Sequence, residues 1–313
     1  MSKLNMLQNP ISPLEIPIKT VVFILASFMF WLPAVSAQEI LVLQSMRIKP
    51  YDVAFEGFKI ICDAKIKRVI TSYVPAAEIV SEVQKVNPSL IVTIGMDALA
   101  KVRSVKHIPL IYLMVLDPSQ LIGGDDNVAG VGMRIPAERQ LAEIRRVMPQ
   151  VKSVGVLYDP ARTGSFIREA QAAARTLGIE LLTWETHEPK NALAALQRMK
   201  GKVELFWMLP DAGVVTQETV DLLLLSATEN RIPVFTFSGK YVERGAILSL
   251  ETDPHDMGRQ AGEMAKRALA GTGIRDIISP AARGAIITIN LKVANKLGIK
   301  VNSDTNHKTR IIR

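Results

Sequence analysis

Polar side chains stand just beyond several apolar runs of this chain: Ser45, Asp117, Asp159, Asp211 and Ser238 each follow a stretch that reads as a buried strand. An acid at the carboxyl end of a parallel strand faces the crevice in which open α/β sheets bind small molecules. A carboxylate withdrawn from water requires a cation or hydrogen-bond donors, so the chemistry on offer is capture of a ligand that carries an amine. Asp117 and Asp211 are the leading pair, from two halves of the chain that should face one another, with Asp159 as a third. Ser45, Asn127 and Ser238 are candidates for the remaining polar contacts, Gly95 and Met96 for a strand-end turn that lines the site, and Tyr158 and Tyr241 for an apolar part of the ligand. For each residue alone, turn or cap duty competes with this reading.

The elements that must carry these residues follow from the hydrophobic pattern. Residues 40–43, 69–74, 90–94 and 108–114 read as buried strands, separated by helices from about Asp52, from Pro75 to Val86 and over residues 98–105. A second series follows, with helices over residues 136–148, 164–177, 190–200 and 214–228 and strands over 151–158, 179–184, 203–209 and 234–237. Strict alternation of strand and helix implies parallel sheets covered on both faces. Two such series imply two similar lobes. The remaining pieces, strands over 245–250 and 285–289 and helices over 253–270 and 291–297, complete the two sheets. Crossings between lobes are expected near residues 133–136, 239–244 and 271–274. Lobe 1 then holds residues 38–135 and 240–273, lobe 2 holds 136–239 and 274–302, and 303–313 is a solvated basic tail.

Motifs of catalysis are absent from the sequence. There is no GxxxxGK[ST] phosphate loop, no GxGxxG after a strand and no GxSxG elbow, and His107, His187, His255 and His307 lack partners at metal-ligand spacing. No enzyme activity, cofactor or metal is therefore expected. A net charge of +8 would suit nucleic acid, but the basic residues are scattered with few aromatics among them, so no nucleic-acid partner is expected. The apolar run of residues 20–32, followed by Val35-Ser36-Ala37, has the order of a secretory signal peptide, so residues 1–37 are expected to be removed after Ala37, the alternative being an uncleaved membrane anchor. The single cysteine, Cys62, excludes an internal disulfide and reads as a small buried hydrophobe on a helix.

The order and spacing of several segments carry a resemblance. VLDP at residues 115–118, NVAG at 127–130, QLAEIRRVMP, VGVLYDP at 154–160, IPVFTFSGKYVERGAILSL at 232–250, MGRQAGEMA and INLKVANKLGIKV resemble the ABC-transporter substrate-binding protein family that includes the bacterial tryptophan-binding proteins. The resemblance implies the type I periplasmic-binding-protein fold, an α/β architecture of two Rossmann-like lobes with parallel sheets joined by a three-crossover hinge that closes on a small ligand. It also implies a periplasmic monomer that hands an amino-acid-like molecule to the membrane permease of an ABC transporter. The alternative is a binding protein that presents its closed form to a membrane-bound signalling receptor; an α/β enzyme is a third reading that lacks a nucleophile. The chain departs from the family pattern at Met96-Asp97, where Thr-Pro is common, and at Ala129, where Thr is common.

Overall fold

The computed structural model describes residues 38–304 and 307–313, so the expected leader lies outside the described residues. Five strands, β1 (Glu39–Gln44), β2 (Lys65–Ile70), β3 (Leu90–Ile94), β4 (Leu110–Val115) and β5 (Val128–Gly132), form one parallel sheet in the order β2-β1-β3-β4-β5. β3 and β4 are buried along their whole length, which is why they read as unbroken apolar runs rather than as alternation. Helices α1 (Lys49–Ile61), α2 (Ala76–Val86), α3 (Met96–Val102) and the single turn α4 (Ser119–Ile122) connect them.

The second lobe is a seven-stranded sheet. Its strands β6 (Ser153–Tyr158), β7 (Glu180–Glu185), β8 (Leu205–Trp207), β9 (Val234–Thr236), β10 (Leu248–Thr252), β11 (Ala285–Asn290) and β12 (Lys308–Ile312) lie in the order β12-β11-β10-β9-β8-β6-β7, all parallel to their neighbours except β10 against β11. The covering helices are α5 (Ala137–Val147), α6 (Pro160–Leu177), α7 (Ala192–Gln197), α8 (Val220–Glu229), α9 (Gly239–Glu243), α10 (Pro254–Leu269) and α11 (Leu291–Leu297). Of these, α10 belongs to the smaller lobe: its Met257, Ala261 and Met264 share a core with Phe55 and Phe58 of α1. The two-lobed α/β architecture agrees with the sequence reading.

The chain passes between the sheets at residues 133–136, at Asp253 and at residues 283–284. These segments are tied to one another. Gly132 N donates to Pro280 O at 2.8 Å, Ala282 N to Gly132 O at 2.9 Å, and Asp253 N to Gly284 O at 3.1 Å. Arg139 of α5 adds bonds to Ala282 O and Arg283 O at 3.0 and 2.9 Å, while Arg283 itself is held by Asp256 and Glu263 of α10. The crossings expected near 239–244 and 271–274 are not there: the first is α9, within the larger lobe, and the second is a turn below α10. Strand β10, expected in lobe 1, pairs with β9 and β11 instead. An apolar strand pattern is equally compatible with either sheet, so periodicity could not assign it. The basic tail is likewise corrected. β12 adds in parallel to β11, with Thr309 half-buried and Ile312 packed against the core of the lobe while Arg310 pairs with Glu243. His307 Nε2 lies 2.9 Å from Oε1 of buried Glu143.

One cross-strand row of the larger sheet is chemically mismatched. Thr236, Ser249 and Thr288 are register partners on β9, β10 and β11, fully or almost fully buried, and none of their hydroxyls has a hydrogen-bond partner. A buried hydroxyl without a partner costs about 1–3 kcal/mol, whereas a methyl of the same shape costs nothing there. Thr288→Val is therefore expected to raise stability to urea by about 1 kcal/mol. A fall in the denaturation midpoint would show that the hydroxyl is satisfied in solution.

Candidate functional site

The carboxyl ends of β1, β3, β4 and β5 form the edge of the smaller sheet that faces the second lobe. Asp117 is placed there by an irregularity in β4. The pairing of Tyr112 with Gly130 is followed by that of Val115 with Gly132, so β4 carries one extra residue, and Met114 in the bulge holds a φ of 58°. A bulge turns the chain and re-aims the side chains that follow, and left-handed backbone at a methionine persists only where its surroundings enforce it. The result is an exposed Leu116-Asp117 pair at the strand end.

Asp117 is ready to act as an anion. Its Oδ1 accepts from Ser119 Oγ at 2.6 Å and from Ser119 N at 3.1 Å. The Ser119 hydroxyl above all, helped by the Ser119 amide and the charge of Arg134 against an opposing desolvation, holds the carboxyl below the usual aspartate range. Arg134 lies in the first crossover and is exposed, and its guanidinium stands 5.7 Å from the ring centre of Phe166 on α6. Asp117 thus lies within the field of the positive charge of Arg134.

Around them the edge is apolar. Met46 and Ile48 after β1, Tyr73 after β2, Met96 after β3 and Leu116 after β4 make up five of the ten exposed large hydrophobic side chains among the described residues. Concentration on one edge distinguishes them from hydrophobes scattered singly over a surface, and makes this edge the candidate binding face. Gly95 allows this edge to be closely built. Its φ is +95°, and a Cβ there would lie 2.6 Å from Ser45 Oγ and 2.8 Å from the Tyr51 ring.

Most of the remaining expected site residues are engaged within the scaffold. Ser45 is buried, and its Oγ accepts from Ala98 N at 2.9 Å, capping the first turn of α3. Asn127 precedes β5 and so lies at the amino end of the sheet, away from the cleft; its amide donates to Val105 O and Ile108 O at 3.0 and 3.1 Å. Asp211 is 1% exposed, and its carboxylate is fully engaged by Asp159 N at 2.8 Å, Thr163 Oγ1 at 2.5 Å and Gly213 N at 2.8 Å. Asp159 caps α6 through Ala161 N at 3.0 Å. Tyr158 is buried beside the core of the larger lobe and donates to Glu185 Oε1 at 2.8 Å. Tyr241 packs edge-on against Phe237, 5.2 Å between ring centres, and Ser238 is half-buried at the start of α9. Of the expected set, Gly95, Met96 and Asp117 converge on the apolar edge, while the side chains of Asn127 and Asp211 are turned to partners within the protein.

Arg134, Met46, Ile48 and Leu116 were not expected. The position that singled out Ser45 and Asp117, just past a strand, also holds Met46 and Leu116, and a search confined to polar residues passes over them. Arg134 carries its own signal, a lone charge within the apolar run VGMRIP at a crossover.

The assignment of Asp211 to the scaffold has a measurable consequence. Asp211→Ala strands three donors in a dry interior, each costing about 1–3 kcal/mol if unpaired, so unfolding in urea should shift to clearly lower concentration. Affinity for a ligand of the cleft, measured on the folded fraction, is expected to stay within about twofold of wild type, under 0.5 kcal/mol. A tenfold loss would return Asp211 to the site.

Among the described residues no group of three His, Cys, Asp or Glu side chains could hold a metal ion, and no helix is long and apolar enough to cross a membrane. Comparison with known proteins adds the following. A family model described as ABC transporter substrate binding protein matches residues 55–309. A tyrosine-binding protein of Clostridioides difficile (strain R20291) is 24% identical over 188 residues, 58% of this chain and 54% of that protein, so the chain spans about half the length of this curated relative. The ligand-free, open structure of a substrate-binding protein with adhesive properties from Clostridium difficile aligns over 88% of this chain and 100% of its own, with a TM-score of 0.74 at 20% identity. An ABC domain from Streptococcus pneumonia solved in complex with L-Trp aligns over 88% and 100%, with a TM-score of 0.61 at 23% identity. A leucine-binding protein from Thermotoga maritima aligns over 83% and 87%, with a TM-score of 0.51 at 12% identity, within the same two-lobed type I fold.

Proposed function

Because the chain belongs to the ABC transporter substrate-binding protein family, we propose that it captures a zwitterionic, amino-acid-like molecule with an apolar side chain. One observation carries this reading: Asp117, held ionised within the field of Arg134, stands on an edge otherwise walled by Met46, Ile48, Met96 and Leu116. Asp117 receives the ammonium group and Arg134 the carboxylate, each by a charge-assisted hydrogen bond. The apolar wall takes the side chain. A phosphate or a simple dicarboxylate leaves Asp117 facing like charge, which disfavours both. The tyrosine and tryptophan named for two relatives support the amino-acid class.

In this reading the protein works in the periplasm, after loss of residues 1–37, and delivers its ligand to the membrane permease of an ABC transporter. Ligand contacts both lobes and draws them together about the crossovers at 133–136, Asp253 and 283–284. A thermal-shift panel of L-amino acids, amines and dicarboxylates tests the ligand class. At about a hundred times its dissociation constant a ligand adds roughly 2.7 kcal/mol of stability. Stabilisation by anions alone, with no response to any zwitterion, would reject the reading.

A further inference from the structure

The apolar wall at Met46 and Ile48 is carried by a segment that a polar network built on buried Gln44 holds in place. Gln44, the last residue of β1, is completely buried although its side chain is an amide. Its Nε2 donates to Met46 O at 2.7 Å and to Asp52 Oδ1 at 3.2 Å, so the amide grips both the segment after β1 and the first turns of α1. Its Oε1 accepts from an Arg68 terminal nitrogen at 2.5 Å, and the same nitrogen is paired with Asp52 Oδ1. Arg68 stands on β2, the edge strand, with its guanidinium 4.2 Å from the ring centre of Phe55 on α1. The Gln44 bond first, and then Arg68, keep Asp52 ionised below the usual carboxylate range. Ser45 is fixed independently, by its N–H to Ile94 O at 2.9 Å and by its hydroxyl to α3.

We propose that Arg68 is a positioning residue for ligand capture, acting through Gln44 and Asp52 to fix the segment that carries Met46 and Ile48. The proposal rests on the reading of the cleft given above. Arg68 itself points to Phe55 and the α1 face and makes no contact with the candidate site. Its role requires the planar guanidinium, because one nitrogen must serve the amide oxygen and the carboxylate oxygen together while the ring of Phe55 covers its face. Without it, Gln44 is free to turn, Met46 O loses its donor, and the wall is no longer preorganised for a ligand.

Amide hydrogen exchange on Arg68→Met, which keeps the apolar stem on Phe55, tests this directly. Exchange over residues 46–52 is expected to quicken about tenfold or more, whereas residues 96–102, whose first turn is still capped by Ser45, keep their wild-type rates. Gln44→Leu should give the same local pattern with the Arg68–Asp52 pair intact, and it serves if the arginine variant does not fold. L-tyrosine, L-tryptophan, L-leucine and L-methionine are the binding probes. Any of them that stabilises wild type should bind Arg68→Met at least about tenfold more weakly, with partial recovery in Arg68→Lys. Unchanged exchange over 46–52, or an even rise along β1, β2 and α1, would overturn the proposal. If none of the probes stabilises wild type, the ligand reading fails, and the exchange pattern still decides whether Arg68 fixes the segment.

Discussion

Asp117→Ala is expected to lower affinity for an amine-bearing ligand by about a hundredfold or more, while the melting temperature of the unliganded protein stays nearly unchanged. Truncating one partner of a charged, hydrogen-bonded pair in a closed interface costs about 2–5 kcal/mol, and 2.7 kcal/mol is a factor of about a hundred in affinity. The unliganded protein loses little, because Asp117 is exposed and its two bonds reach only Ser119. Isothermal titration of wild type and variant with the best ligand of the panel measures the first effect, and a thermal melt the second. The variant binding as well as wild type would reduce Asp117 to a turn residue before Pro118. The sign of the pH dependence follows from the depressed carboxyl. Its small contribution to folding is present above the unfolded value of about 3.9 and is lost as pH falls through the lower folded value. Binding should follow the same direction: it persists through mildly acidic pH and weakens only once Asp117 takes up a proton. Loss of binding between pH 6 and 7, in the range where an ordinary histidine titrates, would assign the site to another group.

The second large effect is on stability, at the contact between α1 and α10. Gly57 and Gly258 let these helices meet backbone to backbone. A Cβ at Gly258 would lie 1.9 Å from Ala54 O, and one at Gly57 would lie 2.0 Å from His255 O. Both obstacles are main-chain carbonyls, so no side chain can swing aside to make room. Gly262, one turn further along α10, would meet the Ile61 side chain at 2.7 Å. Gly258→Ala therefore forces the helices apart and opens the core around Phe55, Phe58, Met257 and Ala261. Overpacking of this kind costs about 1–3 kcal/mol where side chains can adjust, so about 3 kcal/mol or more is expected here. Urea denaturation followed by circular dichroism measures it. Alanine at Gly258 leaving the midpoint within about 0.5 kcal/mol of wild type would show that the helices can separate freely. An alanine is the better helix former by about 1 kcal/mol, so the sign of the result separates packing from propensity.

Both predictions concern residues whose role could be read only in part from the chain. VLDP marks Asp117 as a strand-end acid, and strand-end acids of parallel sheets face clefts, so its place was legible from topology alone. Asp211 follows its strand in the same way, yet folding delivers three donors to it from Asp159, Thr163 and Gly213. Nothing in the local sequence distinguishes a carboxylate that waits for a ligand from one already satisfied, because two of the three donors come from about 50 residues away. Asn127 was misplaced for a related reason. Its turn belongs to the amino end of β5, and turn chemistry reads alike at either end of a strand. The glycines of MGRQAGEMA carry no hint of a partner until α1 lies against them.

By itself the sequence determined the alternation of strands and helices, the two parallel-sheet lobes and the strand-end position of Asp117, because these follow from hydrophobic period and turn chemistry over short stretches. Tertiary structure alone decided which sheet receives β10, that the last residues form β12, where the chain crosses between lobes, and which polar groups remain available to a ligand. Each of these depends on groups distant in sequence competing for the same strand edge, helix face or hydrogen bond. Arg134 and the apolar edge around Asp117 stand out as the candidate site because that competition leaves them exposed.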